Sequence, residues 1–284
     1  MTRSDSAPST VGVYGGGRMG AGIAHAFLLA GATVWIVEIS DGAVRSARER
    51  VERSVAYAEQ RGKLPTPAAE LLSRLIVTTD HSQLQACALV IEAVPEDPDL
   101  KRRVLRDVEG VATGAVLATN TSSLSVDDLA RDLARPERFV GLHFFNPVPA
   151  SDLVEVVVGA ETSPDLVADA QNWVTALGKK AITVSDSPGF ASSRLGVALA
   201  LEAMRMLEEG VASADDIDTA MTLGYKHPLG PLKTTDVVGL DVRLAIAEHL
   251  ARELGARFEP PGILRELVAA GHLGRKTGKG FYNW

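Results

Sequence analysis

Residues 10–38 read TVGVYGGGRMGAGIAHAFLLAGATVWIVE, and this stretch decides the fold of the N-terminal half. The run TVGVY is short, apolar and β-branched, which predicts a buried strand. A glycine-rich turn follows, and the next residues are apolar at helical spacing up to Gly31, where we expect the helix to stop. The run TVWIVEI predicts a second strand. A strand, a helix and a strand within about thirty residues form a βαβ unit.

The glycine-rich turn has the spacing G-x-G-x-x-G between a strand and a helix, which is typical of dinucleotide-binding folds. Gly15 would allow the tight turn, Gly17 the approach of a pyrophosphate, and Gly20 the close packing of helix on strand. The N-terminus of the helix adds free N–H groups and a partial positive charge. We therefore expect a pyrophosphate to lie against the turn residues Gly15, Gly16, Gly17, Arg18, Met19 and Gly20.

Glu38 stands at the end of the second strand. An acid about twenty residues after the turn can hydrogen-bond the adenosine ribose hydroxyls, and its charge would repel the 2′-phosphate of NADP. The pattern therefore predicts NAD as the cofactor. The alternative is a tight turn beside a solvated glutamate, which the coincidence of three glycines, the acid and the βαβ frame disfavours.

The rest of the N-terminal half alternates strand and helix patterns, which indicates an α/β fold with a mainly parallel sheet and helices on both faces. Six more strands are predicted at LIVTT (75–79), ALVIEAV (88–94), AVLATN (115–120), RFVGLHFF (138–145), LVEVVVG (153–159) and AITVS (181–185). Residues 41–75 are charged and amphipathic, with Pro65 and Pro67 as interruptions, and we interpret them as a helical hairpin that projects from the sheet. We expect a Rossmann-like domain with this hairpin as an insertion.

After Ser185 the strand patterns stop, and the remaining chain is helical in pattern. Helices are predicted within FASSRLGVALALEAMRMLEEG (190–210), SADDIDTAMTLG (213–224), DVRLAIAEHLARELG (241–255) and PGILRELVAAG (261–271). We predict an NAD-binding domain over residues 1–186 and a helical domain, for substrate binding and dimerisation, over residues 187–284.

An apolar stripe on the first of these helices suggests a homodimer. It contains Val197, Leu201, Met204 and Leu207, more than one contact with the sheet domain would cover. The alternative is that the stripe forms the core of the helical domain itself.

The net charge is −7, from 36 acidic and 29 basic residues, and lacks the basic footprint of a nucleic-acid-binding protein. A single cysteine, Cys87, excludes an intramolecular disulfide and indicates a reducing compartment. The polar start MTRSDSAPST lacks the apolar core of a secretory signal, and we expect residues 1–10 to be a disordered tail. The longest apolar stretch is interrupted by Gly31, which argues against a membrane span. We expect a cytoplasmic protein with no metal site and no nucleic-acid or membrane partner.

Hydride transfer at a secondary alcohol needs a base for the hydroxyl proton, and a histidine suits this role near neutral pH. Of the six histidines, only His143 falls at the end of a predicted strand, where ligands bind in open α/β sheets. Glu155 lies in the apolar run LVEVVVG, and two interpretations stay open. Either it faces water from an edge strand, or it is a buried carboxylate that hydrogen-bonds the histidine and stabilises its charged form.

The segment NTSSLS, which begins at Asn120, follows another predicted strand. Ser125 with Asp128 already predicts a capping box for the next helix, so Ser122 and Ser123 are not needed for capping. One of these two serines is therefore a candidate for contact with a ligand oxygen. Asn120 is a candidate for contact with the nicotinamide side of the cofactor.

Motifs across nearly the whole chain occur in the order GGGRMGAGIA, EAVPED, NTSSL, FVGLHFFNPVP, LVEVV, DSPGF, GVASADDIDTAM, HPLGP and GKGFY. Together they resemble the short-chain L-3-hydroxyacyl-CoA dehydrogenases, a family that includes bacterial 3-hydroxybutyryl-CoA dehydrogenases. The string FVGLHFFNPVP is especially specific. The resemblance implies NAD-dependent interconversion of (S)-3-hydroxyacyl-CoA and 3-oxoacyl-CoA thioesters, with short chains such as 3-hydroxybutyryl-CoA and acetoacetyl-CoA.

The resemblance also implies roles for single residues. His143 would be the catalytic base and Glu155 its carboxylate partner. Ser122 would hydrogen-bond the 3-oxygen of the substrate, and Glu38 matches the ribose-binding acid. Residues that match positions near the nicotinamide half of the cofactor are Glu96, Lys101 and Asn120.

The hairpin at residues 41–75 matches the region where coenzyme A lies in the family. Seven basic residues against five acidic ones make this segment positive, which fits a ligand that carries phosphates. Our candidates for contact with the coenzyme are Ser54, Arg61 and Lys63.

One position departs from the family pattern. After the PGF turn the family has an asparagine followed by an arginine, whereas here Ser193 precedes Arg194. A serine is shorter by roughly one bond and offers a hydroxyl in place of an amide. Three interpretations stay open. Ser193 replaces the hydrogen bond of the asparagine through a water molecule, Ser192 helps to replace it, or the protein has a different substrate. We count Ser193 as catalytic and expect activity to survive, because the histidine–glutamate pair and Ser122 carry the proton chemistry.

Two other functions share these features. A related NAD dehydrogenase of a free hydroxy acid, similar to L-gulonate 3-dehydrogenase, would have the same architecture. A non-catalytic NAD-binding protein, as crystallin relatives of the family can be, is the other. The presence of His143, Glu155 and Ser122 argues against the second.

Overall fold

A computed structural model describes residues 6–284 of the protein. The chain forms two compact units, the first ending at Asp186 and the second spanning Ser187–Trp284. Residues 1–5 of the tail expected over residues 1–10 lie outside the described part, and Thr10 already belongs to a strand. Among the helices of residues 6–284, none combines the length and apolar character that crossing a bilayer requires.

The first unit is built on an eight-stranded sheet. Its strands are β1 (Thr10–Tyr14), β2 (Thr33–Val37), β3 (Leu75–Thr78), β4 (Leu89–Glu92), β5 (Val116–Thr119), β6 (Phe139–Phe144), β7 (Leu153–Val158) and β8 (Lys180–Ser185). The strand order is β3-β2-β1-β4-β5-β6-β7-β8, and every neighbouring pair is parallel except β6 with β7. The eight predicted strands and the mainly parallel sheet are confirmed.

The central strands are apolar at nearly every position because helices cover both faces of the sheet. Strand β6 is buried along its whole length, so His143 is withdrawn from water together with its apolar neighbours. Within residues 6–186 the α-helices are α1 (Arg18–Leu29), α2 (Asp41–Gln60), α3 (Ala68–Ser73), α4 (Pro98–Val111), α5 (Val126–Ala130) and α6 (Pro164–Ala176).

The predicted helical hairpin is present as α2 and α3, but it does not project from the sheet. The apolar residues of α2 recur at a spacing of four, and Ala47, Val51 and Val55 are fully buried. Leu71 of α3 is also fully buried, in the same core. The hairpin therefore packs onto the first unit through one apolar face, and its opposite face carries the charged residues.

The second unit is helical, as predicted. Its α-helices are α7 (Ser192–Glu208), α8 (Ala214–Thr219), α9 (Pro231–Val238), α10 (Leu240–Leu254) and α11 (Gly262–Ala269). Helix α9 was not predicted from the sequence. It has 8 residues, begins at Pro231 and ends before Gly239, whose φ is 107°. Such a short segment shows too little periodicity to be recognised.

The apolar stripe of α7 forms the core of the second unit. Val197, Leu201 and Met204 are fully buried there, against residues of α9, α10 and α11. The alternative interpretation of this stripe is therefore the correct one, and the stripe itself does not indicate a dimer.

Candidate active site

The glycine turn lies between β1 and α1, at the edge of the sheet where the parallel strands end. Gly15 has a φ of 97°, and a Cβ there would lie 2.9 Å from the carbonyl oxygen of Ala93. A Cβ on Gly20 would overlap the carbonyl oxygen of Gly15. By contrast, a Cβ on Gly17 would meet nothing within 4 Å. Packing thus requires glycine at positions 15 and 20, whereas Gly17 keeps a space open in front of the backbone.

Glu38 lies beside this turn, directly after β2. Its Oε1 accepts a hydrogen bond of 2.7 Å from Gly16 N, and its Oε2 accepts one of 3.2 Å from Ile39 N. Arg50 of α2 donates to the carbonyl oxygen of Gly16 at 3.2 Å. The acid predicted to bind a ribose therefore also orders the glycine turn.

The residues at this edge fit a bound NAD. In the described part of the chain, the N-cap residue of α1, Gly17, makes no side-chain cap hydrogen bond, which leaves the first N–H groups of the helix for ligand oxygens. The space over Gly17 gives room for the pyrophosphate, and Glu38 supplies an acceptor for the ribose hydroxyls. Arg18, the first residue of α1, adds a positive charge near the same point.

An ion cluster around the buried Lys101 connects the end of β4 with α4. Lys101 is 1% exposed, and its Nζ lies 2.7 Å from Glu92 Oε1 and 3.2 Å from Glu96 Oε2. Thr119 donates to the other oxygen of Glu92 at 2.7 Å. Burial raises the pKa of Glu92 in spite of Lys101. At Glu96, burial acts in the same direction, but Lys101 and the neighbouring donors outweigh it and lower the pKa.

Glu96 organises the turn that follows β5. Its Oε1 accepts from Thr121 Oγ1 at 2.5 Å and from the backbone N–H groups of Ser122 and Ser123 at 2.9 and 3.1 Å. The hydroxyl of Ser123 also donates to this oxygen, at 3.0 Å. Within residues 6–284 the Ser122 hydroxyl makes no hydrogen bond. Of the two candidate serines, Ser122 is therefore the one whose hydroxyl is left for a ligand.

Asn120 joins the same turn to the neighbouring strand. Its Oδ1 accepts a hydrogen bond of 2.9 Å from Phe144 N, the residue after His143 on β6. The predicted nicotinamide contact is thus tied to the strand that carries the predicted base.

His143 and Glu155 stand opposite each other on the antiparallel strands β6 and β7. His143 Nδ1 lies 2.7 Å from Glu155 Oε2, and the two residues are 6% and 0% exposed. Strand β8 covers the outer side of β7, which excludes the interpretation of Glu155 as a solvated edge residue. The ring of Phe145 packs 4.5 Å from that of His143. The result is a buried carboxylate–imidazole pair, an arrangement that fixes the tautomer of a general base.

A cavity of about 350 Å³ lies between α1, α2 and the loop after β6. Its wall includes three arginines and one serine, Arg18, Arg50, Arg53 and Ser54. Arg50, Arg53 and Ser54 belong to α2 and share a face, because residues three and four apart are neighbours on a helix. Residues 146–149, shortly after His143, form another part of the wall. The cavity is therefore basic and extends from the glycine turn to the loop of the His143 strand.

Ser54 is hydrogen-bonded to a buried histidine of α1. Its Oγ lies 2.6 Å from Nδ1 of His25, which is 1% exposed. Burial, together with the charge of Lys179, lowers the pKa of His25 to about 4, so the ring is neutral near pH 7. Among residues 6–284, His25 Nε2 has no partner. A proton on Nδ1 avoids an unpaired buried N–H group at Nε2 and makes His25 the donor to Ser54.

Arg61 and Lys63, the other candidates for coenzyme contact, lie beyond the C-terminal end of α2. In the described part of the chain, the residues that line the cavity do not include them. Arg61 donates to Tyr57 Oη at 2.8 Å and lies over its ring at 5.2 Å. The structure thus brings Ser54 together with arginines of its own helix face and not with these two residues.

Ser193 belongs to the second unit, in the first turn of α7. Its neighbour Arg194 donates to Ser187 Oγ at 2.5 Å and to the carbonyl oxygen of Pro188 at 3.0 Å. These bonds hold the preceding turn against the helix that carries Ser193.

Four residues of this edge were not predicted from the sequence as site residues: Arg50, Arg53, Glu92 and His25. The two arginines could have been found, because their spacing from Ser54 indicates one helix face. An acid at the end of an apolar strand also signals a buried partner, which for Glu92 is Lys101. No pattern in the sequence signals the role of His25.

Two family models match the chain. "3-hydroxyacyl-CoA dehydrogenase, NAD binding domain" matches residues 10–187, and "3-hydroxyacyl-CoA dehydrogenase, C-terminal domain" matches residues 189–284. A 3-hydroxybutyryl-CoA dehydrogenase of Mycobacterium tuberculosis is 39% identical over 279 residues, covering 96% of this chain and 98% of that protein. The crystal structure of (S)-3-hydroxybutyryl-CoA dehydrogenase from Ralstonia eutropha is similar with a TM-score of 0.94 and 42% identity, over 98% of this chain and 99% of that one.

We predict that alanine substitutions at two glycines separate folding from cofactor binding. Gly20→Ala forces the turn apart and should lower the free energy of unfolding by about 2 kcal/mol or more. Gly17→Ala meets no atom of the fold and should cost less than about 1 kcal/mol. Its Cβ would enter the space for the pyrophosphate, so we expect NADH to bind about 10-fold more weakly. Thermal denaturation and NADH fluorescence titration measure these effects, and unchanged NADH affinity in Gly17→Ala would contradict this placement.

His25 should make stability depend on pH. Its pKa is about 4 in the folded chain and 6.5 ordinarily, so between these values the unfolded chain binds more protons. Stability is therefore lost as the pH falls through this window. In His25→Gln, the free energy of unfolding lost across this window should be smaller than in the wild type by up to about 3 kcal/mol. Urea denaturation across the window measures it, with the exposed His81→Gln as control, and equal slopes in all three proteins would refute the prediction.

Proposed function

The chain belongs to the 3-hydroxyacyl-CoA dehydrogenase family, and on this premise we propose that it interconverts (S)-3-hydroxyacyl-CoA and 3-oxoacyl-CoA. We propose short acyl chains, with 3-hydroxybutyryl-CoA and acetoacetyl-CoA as the substrate pair, as the names of the similar proteins suggest. The observation that carries the proposal is the buried His143–Glu155 pair at the edge of the NAD-binding sheet. NAD, when bound, accepts the hydride in oxidation and returns it in reduction.

His143 acts as the general base in the proposed oxidation. Because Nδ1 is held by Glu155, the neutral ring carries its proton on Nδ1 and its lone pair on Nε2. Nε2 removes the proton of the 3-hydroxyl group, and the carboxylate of Glu155 stabilises the imidazolium that forms. In the reverse direction, Nε2 returns the proton to the forming alkoxide. The low exposure of both residues strengthens their interaction.

Ser122 orients the reacting oxygen in this proposal. Glu96 engages the hydroxyl of Ser123 and the backbone of Ser122, which supports an assignment to the Ser122 hydroxyl. A donor held at this point would stabilise the charge that develops on the 3-oxygen during reduction. Ser193 is proposed as the residue that stands in for the family asparagine.

The basic cavity accepts the coenzyme A part of the substrate. Arg18, Arg50 and Arg53 can each form charge-assisted hydrogen bonds with phosphate oxygens. Ser54, held by the neutral His25, can donate its own hydroxyl proton to the ligand. The loop after β6 belongs to the same cavity, and this supports a path for the thioester from the phosphates toward His143.

We still propose a homodimer, but the basis is not the apolar stripe of α7. Several large apolar side chains of the second unit are exposed, among them Leu195 at 69%, Leu223 at 67% and Tyr225 at 75%. Exposed apolar groups of this size are common at subunit interfaces.

The proposed reaction is tested by the oxidation of NADH with acetoacetyl-CoA and with free acetoacetate. We expect turnover with the thioester and none with the free acid, because the arginine cavity recognises phosphates. Turnover of the thioester also tests the expectation that activity survives with Ser193. Turnover with the free acid alone would overturn the acyl-CoA assignment. NADH binding without turnover on either compound would indicate a non-catalytic role.

The variant Arg53→Met sharpens this test. Loss of one charge-assisted hydrogen bond should raise KM for acetoacetyl-CoA about 10-fold with little change in kcat, since the bond is equally present in ground and transition states. The matched control is Arg45→Met, an exposed arginine of the same helix outside the cavity. Equal KM values for the two variants would contradict the assignment of the cavity.

His143→Gln should separate chemistry from cofactor binding. We expect turnover to fall by about 1,000-fold or more, because glutamine cannot accept the hydroxyl proton. Glu155→Gln keeps a hydrogen bond but loses the charge and should reduce turnover by about 100-fold or more. NADH titration serves as the folding control, and both variants should bind it as the wild type does. Near-normal turnover of His143→Gln would show that another group is the base.

A further inference from the structure

The second unit contains a cavity of its own, of about 280 Å³. Its apolar lining comes from α7, α9 and the segment before α9. It includes Leu199 and Pro231, together with Leu195 and Leu229, which are themselves 69% and 43% exposed. The polar side chains on the wall are His227, Thr234 and Arg243. The volume corresponds to about nine water molecules at roughly 30 Å³ each, so the cavity can hold a chain of several carbons.

Arg243 is the unusual member of this wall. It stands on α10 and is 6% exposed, and its Nε is buried with no hydrogen-bond partner among residues 6–284. A Cβ on Gly196 would lie 3.8 Å from Arg243 Nη1, so the guanidinium lies against the backbone of α7 where no side chain intervenes. Burial lowers the pKa of Arg243 to about 10, which still leaves it charged at neutral pH.

Arg243 has no counter-ion in the described part of the chain. The buried acids of the second unit are engaged elsewhere. Asp218 accepts from the backbone N–H groups at the start of α9, and Asp236 accepts from those near the C-terminus. Each nearby surface acid with an ion pair uses a different cation, as in Asp241 with Lys276 and Glu248 with Arg265.

A buried charge without a partner is strongly unfavourable, and folded proteins pair such charges or bind an ion at them. The planar guanidinium matches the two oxygens of a carboxylate. The apolar side chains beside it favour an anion with a hydrocarbon stem.

We propose that this cavity binds a carboxylate on a short apolar chain, with the Arg243 guanidinium as its counter-charge. The ligand is a separate short-chain carboxylic acid, and this inference does not rest on the proposed function.

Binding to the full-length protein tests the site directly. The probes are hexanoate and hexanamide, which share a stem and differ in charge. We expect isothermal titration to show hexanoate binding at least 10-fold tighter than hexanamide, and this preference to disappear in Arg243→Met. The control is Arg252→Met, which removes an exposed arginine from the same helix and should keep the preference. Because Arg243→Met removes an unpaired buried charge, it should unfold at the same temperature as the wild type or higher.

Two results would distinguish a failure of the carboxylate site from a failure of the proposed dehydrogenase reaction. No preference for hexanoate over hexanamide overturns the carboxylate site and leaves the dehydrogenase assignment intact. No turnover of any thioester overturns the proposed function, while the hexanoate titration still decides whether the cavity binds a carboxylate.

Discussion

Carboxylates that accept charge-assisted hydrogen bonds from neighbouring segments order the carboxyl edge of the sheet. Glu38 takes its donor from the glycine turn. Glu96 takes several from the turn after β5. Glu155 is paired with the imidazole of His143. Each acid orders the segment that supplies its donors, so hydrogen bonds to carboxylates position the groups that would contact ligands.

The reversal of one strand makes the His143–Glu155 pair possible. Because β7 runs antiparallel to β6, its first residues lie at the edge where the parallel strands end, opposite His143. A shift of register by one residue would turn the Glu155 side chain to the other face of the sheet. Strand β8 then covers β7 and excludes water from the pair. The topology of the last three strands is therefore as important to the proposed chemistry as the residues themselves.

Local patterns predicted the parts of the fold that depend on local physics. The strands follow from apolar β-branched runs, and the glycine turn follows from a spacing that is typical of dinucleotide-binding folds. The burial of Glu155 could not be predicted, because it depends on whether another strand pairs outside β7. Helix α9 was missed because it is too short to show a period. The contact of Ser54 with His25 was missed because it joins two helices that are distant in sequence.

The arginines of the two cavities differ in exposure, and the cavities therefore suit different ligands. The arginines of α2 are largely exposed, so each keeps part of its hydration and can meet a phosphate at modest cost. Arg243 is only 6% exposed and has gained no acceptor at its buried Nε in the described part of the chain. In a low-dielectric wall, attraction to an anion is strong, but an anion that must also give up its water gains little. A carboxylate whose stem buries apolar surface at the same time recovers part of that cost through the hydrophobic effect. The same residue type thus favours a phosphate-bearing coenzyme in the first unit and an amphipathic acid in the second.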